Sequence, residues 1–113
     1  MATLYNTLER AASVNAFAVV NLELVWDTDA QSVPLNSSEE SSALGDWSAT
    51  TDSDGKWIFE TVDPNTDITP TGSNVYKVTE TVNGEEGVVS YVEITGNGSY
   101  WLGDVIVSTP AWV

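Results

Sequence analysis

The stretch 47–62, WSATTDSDGKWIFETV, places the tightest limit on what this chain can fold into. Trp47, Ala49 and Thr51 alternate in its first arm and Trp57, Phe59 and Thr61 in its second, with Asp52-Ser53-Asp54-Gly55 between them. A period of two sends successive side chains to opposite faces of a strand, so each arm has one half-buried face. The aspartates can accept hydrogen bonds from nearby backbone, and Gly55 reaches positive φ at no steric cost, so the segment is predicted to be a β-hairpin. Two tryptophans and a phenylalanine make its apolar face heavy, and that face is expected at the centre of a core.

A core of that kind fits the length. A chain of 113 residues makes one domain, able to bury roughly 65% of its unfolded surface without disulfides or metals. Cysteine is absent, which removes disulfides, thiolate metal sites and thiol nucleophiles. Three basic residues (Arg10, Lys56, Lys77) against seventeen acidic ones leave a net charge of −14. Such a surface repels phosphate backbones and anionic lipid, so neither nucleic acid nor membrane is an expected partner. A halophilic source or a milieu rich in divalent cations would account for the same charge. Residues 1–13 lack the basic-then-apolar order of a signal peptide and no apolar run is long enough to span a bilayer, so synthesis in a cytoplasm without a cleaved signal is expected.

Along the chain, 1–13 reads as an N-terminal arm. Leu4, Leu8 and Ala11 fall at helical spacing, and Asn6 with Glu9 makes a weak capping box, so a short helix and an extended arm are both compatible. Leu4, Tyr5 and Leu8 are either part of a frayed end or anchors for a neighbouring subunit. Residues 14–26 alternate as a long strand, with Ala16, Ala18, Val20, Leu22, Leu24 and Trp26 on one face. Residues 27–46, acidic and rich in serine, read as a long mobile surface loop with one short edge strand near Val33–Leu35. A proline-containing loop at 63–73 is expected to be rigid. Tyr76, Val78 and Val82 then line one strand face, Asn83-Gly84 opens a second hairpin turn continuing through Gly87, and Ser90, Val92 and Ile94 line its partner. After Thr95-Gly96-Asn97-Gly98-Ser99, the aromatic residues Tyr100, Trp101 and Trp112 gather towards the C-terminus.

About six to eight strands and no helix of any length predict an all-β fold: a small antiparallel β-sandwich, prealbumin-like or immunoglobulin-like, over 14–113 behind the arm. The opening strand, the D-x-D-G turn and the pattern P-N-T-D-I-x-P-x-G-x-x-Y resemble prealbumin-like (transthyretin-like) sandwiches and carboxypeptidase regulatory-like modules. More narrowly, TTDSDGKWIFETVDPNTDITPTGSNVYKVTETVNG resembles modules of tailed-phage virion proteins, in head decorations, baseplates and fibres. That resemblance covers roughly half the chain, from Ala49 to about Asp104, and implies a non-enzymatic assembly module. Asp52, Asp54, Gly55, Pro64, Gly72 and Tyr76 match it as structural positions.

The chemistry left to the chain is narrow. With neither histidine nor cysteine, serine–histidine and cysteine–histidine catalysis are excluded. A carboxylate pair of the glycosidase kind remains possible in principle, but on so acidic a chain most pairs are solvated surface, and an enzyme is not expected. There is no phosphate-binding glycine motif, and no cofactor is expected. Asp52 and Asp54 resemble a fragment of a calcium loop without its bidentate glutamate, and Asp27 with Asp29 forms a second close pair; a metal-free turn is the simpler reading. Asn36-Ser37-Ser38 and Asn97-Gly98-Ser99 match the glycosylation pattern, which matters only in a secretory pathway.

Trp26, Trp47, Trp57 and Phe59 are expected in the core, leaving Tyr100, Trp101 and Trp112, with Leu4, Tyr5 and Leu8, as candidate partner-binding residues. The function implied is a virion protein, a decoration or cement protein bound to the major capsid protein of a tailed-virus head. Assembly as a homo-oligomer, a trimer by the virion analogy, goes with it. A tail, baseplate or fibre adaptor is the alternative within that class, and a cell-surface carbohydrate-binding module is the alternative outside it.

Overall fold

Alternating strands of this composition must bury one face each, and they do so by forming two packed sheets. The computed structural model describes residues 2–7, 9–10, 13–14, 18–30, 34–36, 41–42, 46–82 and 85–113. Its strands are β1 (Ala2–Thr7), β2 (Glu9–Arg10), β3 (Ser13–Val14), β4 (Val19–Trp26), β5 (Leu35–Asn36), β6 (Ser41–Ser42) and β7 (Asp46–Thr50). There follow β8 (Lys56–Val62), β9 (Ile68–Thr69), β10 (Asn74–Val82), β11 (Glu85–Val92), β12 (Ser99–Trp101) and β13 (Ile106–Val107). A single helical turn, α1 (Leu102–Val105), joins the last two.

The larger sheet has the order β13-β11-β10-β4-β7 and the smaller β12-β1-β8. Their facing sides make an all-β, sandwich-like core of Val20, Leu22 and Leu24 from β4, Tyr76 and Val78 from β10, Val92 from β11, and Leu4, Trp57 and Phe59 from the small sheet. Of the strand expected over 14–26, β4 covers Val19–Trp26 and turns Val20, Leu22 and Leu24 inward, whereas Val14 belongs to β3 and Ala16 lies outside the described residues; Tyr76 and Val78 on β10, and Ser90, Val92 and Ile94 after it, face inward as expected. Trp57 and Phe59 are buried edge to face at 5.5 Å, while Trp47 and Trp26 are half-buried against the core. The β10–β11 ladder runs to Val82↔Glu85, so the hairpin connection is two residues long rather than continuing through Gly87.

Two expectations are corrected. First, the segment 47–62 is not a hairpin: β7 pairs with β4 and β8 with β1, so the Asp52–Gly55 turn carries the chain from one sheet to the other. The turn chemistry is as expected, with Gly55 at φ 81° and Asp52 Oδ1 accepting from the backbone N–H of Asp54 (2.9 Å) and Lys56 (3.0 Å). What redirects the arms is Thr51, buried and bonded both ways to Ala18, whose N–H donates to Thr51 Oγ1 at 2.7 Å and whose carbonyl accepts from Thr51 N at 2.8 Å. That extends β7 along β4 and leaves β8 free to pair elsewhere.

Second, residues 1–13 are not an arm outside the fold. β1 is the middle strand of the small sheet, with Ala2 and Leu4 fully buried, antiparallel to β8 and parallel to β12. β2 and β3 pair with each other beyond it. One extra residue in β8 between the Leu4↔Phe59 and Ala2↔Val62 pairs makes a bulge, so Val62 turns inward and Thr61, expected inward, is exposed. Within the acidic segment 27–46, a short strand forms at Leu35–Asn36, but it is the middle and not an edge of a small sheet of order β6-β5-β9, and Val33 lies outside the described residues.

The loop after β8 is pinned by two asparagines. Asn74 Nδ2 donates to the carbonyls of Ile68 (3.0 Å), Pro70 (3.0 Å) and Asn65 (3.3 Å), and Asn65 Nδ2 donates to Asn74 Oδ1 (2.8 Å). Asn65 Oδ1 accepts from Ile94 N at 2.7 Å, tying the loop to the segment just past β11. Thr69–Pro70 is cis and Gly72 has φ 78°. Tyr76, just beyond, donates its hydroxyl to the Asp63 carbonyl at 2.7 Å. Burial, and secondarily the Asp63 charge, pushes the Tyr76 phenol well above its ordinary range. Because the folded-state value exceeds the unfolded one, the neutral phenol stabilises fully below about pH 10 and that stability is lost as pH rises further. Denaturant titrations across the alkaline range should therefore show a steeper fall for the natural chain than for Tyr76→Phe.

Candidate functional site

The outward side of the small sheet is where the chain exposes aromatic surface in register. Tyr5 on β1 stands between Ile58 on β8 and Trp101 on β12. Ile58 is 43% exposed, Trp101 48%, and Tyr5 half-buried between them. Cross-strand neighbours of this kind lie close enough to form a continuous apolar row. Lys56, two residues before Ile58 and on the same face, holds its ammonium 5.7 Å from the Tyr5 ring centroid, a cation–π arrangement. It is one of only three basic residues in the chain.

Behind this row a line of hydrogen bonds runs into the core. Trp101 Nε1 donates to Asn6 Oδ1 at 2.9 Å, Asn6 Nδ2 donates to Glu80 Oε2 at 3.0 Å, and the same oxygen accepts from Trp57 Nε1 at 2.9 Å. Glu80, on β10 of the large sheet, is 3% exposed, so its carboxylate joins the two sheets through neutral donors. Both indole N–H groups are thereby satisfied, as buried or half-buried tryptophans require. The Trp101 ring also lies over Gly103, where an added Cβ would meet Cη2 and Cζ3 at 2.5 Å. Gly103→Ala is therefore expected to push the indole off its seat and break the Trp101–Asn6 bond, costing about 1 kcal/mol; a shifted indole N–H resonance with the remaining spectrum retained would report it.

The sequence-derived candidates divide. Tyr5 and Trp101, singled out from opposite ends of the chain, are brought side by side. Leu4 is fully buried and is a core residue, so it is no anchor for a neighbouring subunit. Leu8 lies outside the described residues. Tyr100 points inward, registered against Leu4, half-buried and packed on the core, and Trp112 is half-buried in the turn at 110–113. Asp52 turns its carboxylate onto its own loop, as Asp27 does onto Asp29 N at 3.0 Å. Asp54 is exposed, and among the described residues no group of three or more acidic side chains converges.

Glu80 was not among the sequence candidates, although its position between Val78 and Val82 in a period-two strand already puts it on the inner face. Ile58 was missed because a lone isoleucine on an outer face carries no signal until its neighbours are known. Concavities lie elsewhere among the described residues. A cleft of about 140 Å³ beside Asn65, Asn74 and Glu93 is lined by amides already engaged with each other and the backbone. A shallow groove of about 510 Å³ runs from Tyr100 along Asp104–Val107, with Glu93 on its wall.

No protein-family model matches the chain, and no curated protein matches it. Among solved structures it is similar to the crystal structure of a "putative carbohydrate binding protein" from Pseudomonas aeruginosa, at 16% identity and a TM-score of 0.48. The match spans 89% of this chain and 85% of that one. A likeness of that size says nothing of what this chain binds.

Proposed function

We propose that the chain is a non-enzymatic structural protein of a virion, a decoration protein that binds the outer surface of a tailed-virus head and stabilises it. The observation that carries this reading is the exposed Tyr5–Ile58–Trp101 row on one side of a small, strongly acidic sandwich. Contiguous exposed apolar surface on a small domain marks a contact with another macromolecule. The resemblance of the segment around the Asp52–Gly55 turn to phage virion modules supplies the setting. Oligomerisation, trimeric by the same analogy, belongs to the proposal and is read from mass in solution, alone and with the capsid protein.

The test is recovery of binding partners from the native source with the intact chain and with Trp101→Ala. A major capsid protein recovered by the intact chain and lost with the variant supports decoration. Tail or fibre components would move the protein to the adaptor role, and glycan alone would sink both. A truncation starting at Val14 is no substitute for the point variant, because it deletes β1 from the core. A second reading, a carbohydrate-binding module, draws on the same paired aromatic rings. Recovery of glycan in the same test is the result that would carry it.

A further inference from the structure

Resting on the function proposed above, we infer that Glu80, too buried to touch a partner, is a positioning residue of the partner-binding row: through Asn6 it holds the Trp101 indole in the orientation the row presents. Glu80 is 3% exposed and belongs to β10 of the large sheet, whereas Trp101 is 48% exposed on β12 of the small one. A single residue on β1, Asn6, links them.

The polarity of this link is fixed from both ends. An indole nitrogen donates and does not accept, whereas an amide does both. At the inner end Glu80 Oε2 accepts from Trp57 Nε1 at 2.9 Å and from Asn6 Nδ2 at 3.0 Å. Asn6 therefore turns its NH2 inward and its carbonyl oxygen outward, and that oxygen is the acceptor Trp101 Nε1 meets at 2.9 Å. Without the Glu80 acceptor the amide is free to reverse, and two donors would then face each other beneath the row. A second restraint is steric: the Trp101 ring lies over Gly103, whose missing Cβ leaves room for it. An exposed side chain held in one rotamer before anything docks loses less entropy on association, worth about two- to tenfold in affinity for one such side chain.

The experiment compares the full chain with Glu80→Leu and Glu80→Gln by two readings: nitrogen relaxation of the indole N–H groups, and capture of protein from disrupted native particles over a concentration series. Glu80→Leu should loosen the Trp101 indole while the β1 and β12 amides stay rigid, and raise the half-capture concentration about two- to tenfold. Glu80→Gln keeps an oxygen that accepts from both donors and should restore both readings. In a chain already carrying Trp101→Phe, which has no N–H to give, Glu80→Leu should add nothing to the loss of capture, an outcome that lowered stability alone would not produce. Val92→Ala, a truncation at a fully buried core residue outside this link, is the control for lowered stability and should leave the Trp101 indole ordered. If the spectrum of Glu80→Leu shows that it does not fold, Asn6→Ala takes its place, since it removes the acceptor of Trp101 directly. An indole as ordered in Glu80→Leu as in the natural chain, equal loosening in Val92→Ala, or a full further loss in the Trp101→Phe background would overturn the inference. Capture by Glu80→Leu undiminished beside that of the natural chain would overturn it while leaving the virion role standing. If the natural chain captures no virion protein, the virion role falls, and the relaxation of the Trp101 indole alone decides whether Glu80 positions it.

Discussion

Replacing Trp57 with alanine is expected to cost about 3–5 kcal/mol, the range for truncating a buried tryptophan. Trp57 is 1% exposed, stacks edge to face on Phe59 and donates to Glu80 from the opposite sheet. Its loss opens a cavity at the contact between the sheets and strips the buried Glu80 carboxylate of one of its donors, leaving the Asn6 amide among the described residues. A domain of this size has about 5–15 kcal/mol in total, so the variant should sit near the edge of folding. Trp57→Phe keeps most of the ring but not the N–H, and should cost about 1–3 kcal/mol, the desolvation penalty of an under-satisfied carboxylate. Urea midpoints read at constant slope measure both.

Asn74→Asp is expected to be nearly as damaging although it changes no volume. The Asn74 amide nitrogen faces three backbone carbonyls, of Asn65, Ile68 and Pro70. An aspartate there points a charged oxygen at all three, losing the donors and adding repulsion, for about 3 kcal/mol or more at neutral pH. The same repulsion raises the folded-state pKa of the new carboxyl above its unfolded value near 4. The variant should therefore recover stability as pH falls through that raised value, since a protonated carboxyl can donate one bond. A midpoint that is flat with pH, or a loss below about 1 kcal/mol, would show that this amide does not hold the 63–73 loop.

The parts of this fold that were legible in the sequence are those whose signal is local. Alternation over β4, β10 and β11 reports which side chains face inward, and Val20, Leu22, Leu24, Val78, Val92 and Ile94 do. Asn83-Gly84, which lie outside the described residues, announce a hairpin, and β10 and β11 on either side of them do pair antiparallel. What local pattern does not report is which strand a strand pairs with. The Asp52–Gly55 turn has the same chemistry whether its arms join one sheet or two, and the choice is made by Thr51 meeting Ala18, far away in sequence. β1 reads as an arm because both of its partners, β8 and β12, lie far along the chain, where no local pattern can point to them.

The candidate site suffered the same loss. Tyr5 and Trp101 each stood out as aromatic residues near a terminus, but only the parallel β1–β12 ladder makes them neighbours, and only β8 adds Ile58 and Lys56. Leu4, one residue from Tyr5, goes the other way into the core, as a period of two demands once the segment is known to be a strand. Glu80 shows the converse: its phase was readable, but a charge on an inner face gains meaning only when Trp57 and Asn6 are seen to meet it.

The most direct measurement of the central claim is hydroxyl-radical footprinting of the chain free in solution and in native particles, with oxidation quantified residue by residue. Trp101 and Tyr5 should react readily in the free chain and be protected in the particle, with Val88 and Val89, exposed at 49% and 38% on β11, unchanged. Protection of β11 with Trp101 and Tyr5 as reactive as before would place the contact on the other sheet and contradict the account.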